Sequence, residues 1–128
     1  MKKYLWLAFY AFFSLKVYAL SDLSVIGNFE SEIVSSSVAY PGETQFYNEA
    51  GRIKGFYYFE ENGRRIEGVL TSCHRAVNPV SVTCSWSDQY GQGLVDFTFT
   101  SDFQSFKGFW RAKGVSHTKY PWNGSRND

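Results

Sequence analysis

No stretch beyond residue 20 of this 128-residue chain sustains apolar residues at helical spacing, so a core built on packed helices is not expected. Chemical signatures are missing too. The chain has no nucleophile elbow, no HExxH pair, no phosphate-cradling glycine loop and no zinc-type cysteine spacing. It has only two histidines, His74 and His117. Both are expected in loops, and a metal site would need them to converge with a carboxylate. The twelve acidic residues are scattered, so a glycosidase-type carboxylate pair could arise only through folding. We expect no catalytic residues, no cofactor and no metal; an enzyme is not the favoured class. An excess of one charge is lacking as well, with 13 Lys and Arg against 12 Asp and Glu. Charge gives no argument for a nucleic-acid partner.

The N-terminus reads as a processing signal. Lys2 and Lys3 precede an apolar run from Tyr4 to Leu15, and "VYA" places Val17 and Ala19 where a signal peptidase requires small or modest side chains. This pattern predicts a secretory signal peptide over residues 1–19, cleaved after Ala19, and a secreted or periplasmic protein. The run is short of the ~20 apolar residues that a spanning helix needs, and no membrane span is expected in the mature chain. No cysteine lies near the cleavage point, so a lipoprotein anchor is not expected either. Lys2, Lys3 and Lys16 fall in the leader and no acid does, which leaves residues 20–128 two charges negative. That remainder is the length of one domain with a real core.

What the remainder has in quantity is period two. In "VSVTCSW", Val80, Val82, Cys84 and Trp86 alternate with Ser81, Thr83 and Ser85, and "LVDFTFT" at 94–100 repeats the pattern. Turn signals separate the runs: "NEAG" at 48–51, "ENG" at 61–63, "DQYGQG" at 88–93 and "SDFQS" at 101–105. We expect an all-β domain of about seven or eight antiparallel strands, joined as a meander and closed into a barrel or folded into a sandwich. Cys73 and Cys84 suit an oxidising compartment, and Asn78-Pro79 between them marks a turn, so one disulfide clamping that hairpin is expected.

Across these strands one spacing recurs. Large residues flank a small one in "VIGNF" at 25–29, "IKGFY" at 53–57, "IEGVL" at 66–70, "VTCSW" at 82–86 and "FKGFW" at 106–110; "WNGSR" at 122–126 ends instead in a cation. Residues i, i+2 and i+4 share a strand face, so each copy places a hole between two large groups. Glycine weakens a strand, and the compensation is room for a neighbouring ring. A two-residue Asn62-Gly63 turn pairs Tyr57 with Gly68 and Gly55 with Leu70, so each hole faces a large side chain. Direct pairing of Cys73 with Cys84 conflicts with this register. Either a bulge near 71–73 or a diagonal disulfide would reconcile them.

Strands carrying Gly-x-aromatic, with the late "PWNGSR", resemble the meander barrels of the avidin and lipocalin type. They also resemble small exported bacterial proteins of unassigned activity. The resemblance implies a barrel fold. The rest of a biotin site does not map onto this sequence, so biotin is not implied.

Two candidate surfaces follow. With Phe106, Gly108 and Trp110 inward, Lys107, Phe109 and Arg111 face outward, and the run at 52–58 behaves alike with Lys54, Phe56 and Tyr58. Aromatics between cations on an outer face suit a protein, an acidic polymer or a glycan. As one patch, these six residues require the two strands to be near neighbours. The alternative is the barrel interior around Trp86, Trp110 and Trp122, with a small-molecule ligand. The favoured function is a non-catalytic exported binding protein. Behind it stand an inhibitor of a secreted enzyme, presenting "CHRAVNPVSVTC" as a rigid loop, and a small hydrolase. Asn123, in "NGS", is an N-glycosylation acceptor if the host is eukaryotic.

Overall fold

A computed structural model describes residues 24–77 and 80–128; the predicted leader and the Asn78-Pro79 turn lie outside the described residues. Eight strands follow one another: β1 (Gly27–Ser35), β2 (Val38–Glu49), β3 (Arg52–Glu61), β4 (Arg64–Val77), β5 (Val80–Asp88), β6 (Gly91–Phe99), β7 (Ser105–Ala112) and β8 (Tyr120–Arg126). Each pairs antiparallel with the next, and β8 returns to β1, closing a barrel in sequence order. The choice between barrel and sandwich is thereby settled. Closure leaves no strand at the edge of a sheet, although the β3–β4 ladder stops at Gly55↔Leu70 and β4 runs on beyond it.

The repeat fills the interior. Val25, Phe29, Ile53, Tyr57, Ile66, Leu70, Val82, Trp86, Phe106 and Trp122, large members of its copies, are buried, and Trp110 is half-buried. Tyr57 pairs with Gly68 and Leu70 with Gly55, as the Asn62-Gly63 turn predicts. Both turn residues have positive φ, 52° and 80°, the conformation of a two-residue hairpin turn that follows strand twist.

Each hole is occupied. A Cβ on Gly68 would lie 2.6 Å from Cε1 of Tyr57, and one on Gly124 would lie 2.5 Å from Cζ of Phe106. Behind the Tyr57 ring stands Trp122, with centroids 4.6 Å apart, so the ring has nowhere to retreat. Gly68→Val should therefore destabilise by about 1–3 kcal/mol through overpacking. The check is a urea denaturation midpoint. An unchanged midpoint would mean that Tyr57 does not fill this hole.

The conflict at the cysteines is resolved by a bulge. Register runs Leu70↔Trp86 and Thr71↔Ser85, then resumes at His74↔Thr83. The extra residue includes Ser72 at φ 50°, and it brings Cys73 beside the buried Cys84, to which it is disulfide-bonded. One expectation is corrected here. His74 belongs to strand β4 rather than a loop, and it is exposed; His117 does sit in a loop, between β7 and β8.

The two ends of the barrel differ. At the end holding residues 24–26 and the β6–β7 loop, Arg126 lies across the opening. Its Nε donates to Phe103 O at 3.0 Å, Nη1 to Ile26 O at 2.8 Å and Nη2 to Ser24 O at 3.0 Å. Its guanidinium stands 4.6 Å from the Phe29 ring centroid. That cation, which ends the last copy of the repeat, closes the base.

Candidate functional site

The six outward residues are where parity places them, but they do not form one surface. β3 and β7 are four places apart in a ring of eight, in either direction, so they occupy opposite walls. Phe56 and Phe109 are 46% and 48% exposed, on separate faces. Each triplet is also engaged locally. Lys54 pairs with Glu49 at 2.9 Å, the Arg65 guanidinium sits 3.8 Å over the Tyr58 ring, and Arg111 lies 3.6 Å from Asp96. The single patch is withdrawn: alternation along a strand fixes which face a residue takes but not which wall the strand joins.

The interior tryptophans do converge. Trp86, Trp110 and Trp122 line one cavity of about 40 Å³ at the end opposite Arg126, together with Ile33, Ser35, Tyr57, Phe59, Asp88 and Tyr90. The rings stand in near-perpendicular pairs. Trp86 and Trp110 have centroids 5.3 Å apart at 82°, and Tyr57 and Trp122 lie 4.6 Å apart at 67°. Edge-to-face contact is the arrangement that the ring quadrupole favours.

Every indole N–H in the cavity wall is spent inside the protein. Trp86 donates to Arg111 O at 3.1 Å, Trp110 to Val34 O at 2.9 Å and Trp122 to Thr44 Oγ1 at 2.9 Å. Ser31 gives its proton to Phe29 O, so Thr44 is the donor in the 2.8 Å contact between the two hydroxyls. These bonds fix the rings: Trp86 and Trp122 are buried in the wall, and Trp110 is half-buried at the mouth.

Sequence reasoning missed Tyr57, Asp88 and Tyr90 as site residues. The signal for Asp88 was present, since it continues the inward series Val82, Cys84, Trp86 by one more step of two. Its Oδ2 accepts from the Tyr57 hydroxyl at 2.7 Å and its Oδ1 from the Tyr90 N–H at 2.8 Å. The Tyr90 hydroxyl in turn donates to Glu61.

Burial, and then the bond to Asp88, push the Tyr57 phenol well above the ordinary tyrosine value. A group whose pKa is raised by folding contributes stability that is complete below its unfolded value, about 10 for tyrosine, and fades above it. The stability gap between the native protein and Tyr57→Phe should accordingly narrow between about pH 9 and about pH 11. Urea melts at the two pH values measure it. A constant gap would mean that Tyr57 is not a buried donor.

Fold and site together define a small β-barrel cup, sealed at the base by an arginine and lined at the mouth by aromatic rings around one carboxylate. A scan against known protein families finds no family that the chain matches, and a search of curated proteins finds no relative. Among the described residues, no three His, Cys, Asp or Glu side chains gather where they could hold a metal.

Proposed function

We propose that the chain is an exported, non-catalytic binding protein that holds a small molecule at the open mouth of the barrel. The observation that carries this reading is the convergence of the tryptophans. The chain has four, and the three beyond the leader all line one cavity, opposite a sealed base. A core needs rings in its middle, but it does not need them gathered at one opening beside an inward carboxylate.

The size of the cavity limits what enters. It exceeds the ~10–15 Å³ that one water requires, yet it is far below the several hundred Å³ of pockets that swallow a drug-sized ligand. One compact group enters, and the rest of the ligand lies among the loops. A rigid inhibitory loop is less well supported, because "CHRAVNPVSVTC" is largely paired strand, Cys73–Val77 and Val80–Cys84, rather than an open loop.

Native mass spectrometry of the protein captured from its exporting host tests this proposal. The expected spectrum shows the protein plus one small-molecule mass, which Trp110→Ala loses. A stoichiometric protein partner would favour the inhibitor instead, and an added substrate turned over would favour the hydrolase.

A further inference from the structure

We infer that the group entering the mouth is an organic ammonium, a compact cationic head with methylene or methyl substituents. The inference rests on the mouth being the ligand site and names the chemistry it takes. Aromatic faces carry negative potential and attract cations most strongly where water is excluded. Here Tyr57, Trp86, Trp110, Trp122 and Tyr90 surround the cavity, and their indole donors are turned away into the wall.

The charge of the lining points the same way. Asp88 is its one ionisable acid, and no lysine, arginine or histidine lines it. Each Asp88 oxygen accepts one protein hydrogen bond, from Tyr57 or from Tyr90, and each retains a further lone pair. Glu61, bonded to Tyr90, adds a second carboxylate at the rim. Arg64, paired with Glu61 across the β3–β4 turn, offsets that rim charge, but inside the lining a carboxylate or phosphate ligand would meet no counter-charge and would be repelled by Asp88. A neutral apolar group would cover Asp88 without replacing its water, which is costly. An ammonium meets both: its positive charge offsets the carboxylate, with or without an N–H to donate, and its substituents lie against the rings.

Three probes of one shape but different charge separate these cases: choline, its uncharged carbon isostere neohexanol, and the anion of tert-butylacetic acid. Every tryptophan beyond the leader lines the cavity, so tryptophan fluorescence, excited where tyrosine does not absorb, reports on the site. We expect choline to bind at least about tenfold more tightly than neohexanol, and the anion to be weakest. Asp88→Asn, which keeps an acceptor for Tyr57, should shrink the preference for choline toward parity. The ranking of the three probes in the native protein stands by itself if that variant folds poorly. Equal binding of choline and neohexanol, or tightest binding of the anion, overturns the ammonium assignment while leaving the mouth as the ligand site. If all three are silent, the ammonium assignment fails. A small-molecule mass on the native protein would then keep the mouth as the site, and an empty spectrum would remove that too.

Discussion

Replacing Trp122 with alanine should cost about 3–5 kcal/mol of folding stability, the range for emptying a large aromatic site in a core. Trp122 is 2% exposed and touches the rings of Tyr57 and Phe97, at 4.6 Å and 5.1 Å between centroids. Strand β8 pairs it with Gly108, whose hole is filled by the Phe97 ring on which Trp122 packs. A closed barrel cannot collapse onto the void without breaking its own ladder, which puts the expected loss at the upper part of the range. The indole N–H lost with the ring also leaves Thr44 Oγ1 without its donor, in a residue that is fully buried. Chemical denaturation followed by circular dichroism measures the loss. A cost below about 1 kcal/mol, the level of an ordinary surface change, would mean that the ring is not part of the core.

Removing the disulfide should cost about 3 kcal/mol, because it closes a loop of roughly ten residues in the unfolded chain. The double change Cys73→Ala and Cys84→Ala is the suitable variant, since a serine at the buried Cys84 would add an unpaired hydroxyl. The bond spans the bulged part of the β4–β5 pair, where the ladder between Thr71 and His74 is irregular. Its loss should therefore loosen this hairpin first, and hydrogen exchange of Thr83 and Arg75 amides should rise before that of Leu70. Denaturant midpoints of the double variant, and of the native protein with reductant, should agree. A midpoint unchanged in both would show that the hairpin holds its register without the bond.

Local signals made much of the barrel legible. The Asn62-Gly63 turn fixed the β3–β4 register residue by residue, because a two-residue turn leaves one pairing. The inward parity of the repeat followed from the same alternation. The turn between β1 and β2 went unread, since Ser36 and Ser37 adopt positive φ, 52° and 65°, without glycine or asparagine to announce it. The bulge at Ser72 was one of two alternatives, and only the paired strand decides between them. The outer patch failed for a non-local reason. The distance between β3 and β7 depends on how many strands close the ring, which no single strand encodes. Among the site residues, the tryptophans were visible by type. Asp88 needed the inward series continued to the strand's end, and Tyr57 had already been assigned to packing.

The aromatic interior runs without a break from the base to the mouth. Phe29, Phe46, Phe97, Phe99 and Phe106 form a cluster of edge-to-face rings toward the sealed base. Tyr57 and Trp122 bridge that cluster to the mouth, because Trp122 contacts both Phe97 below and Tyr57 beside the cavity. Packing that fixes the base also fixes the walls of the site, so a ligand would meet a preformed cavity and lose little to reorganisation.

The central claim is that the mouth, and not an outer wall, is where this protein meets its ligand. The most direct test is a nuclear magnetic resonance titration, with choline, of the isotope-labelled chain without residues 1–19. Its three indole N–H signals belong to Trp86, Trp110 and Trp122, all at the cavity. The account predicts that these three move together, with the backbone amides of Ser35 and Tyr90, while those of Ile26 and Phe103 at the base stay still. Still indoles, with shifts gathered around Phe56 or Phe109, would contradict it.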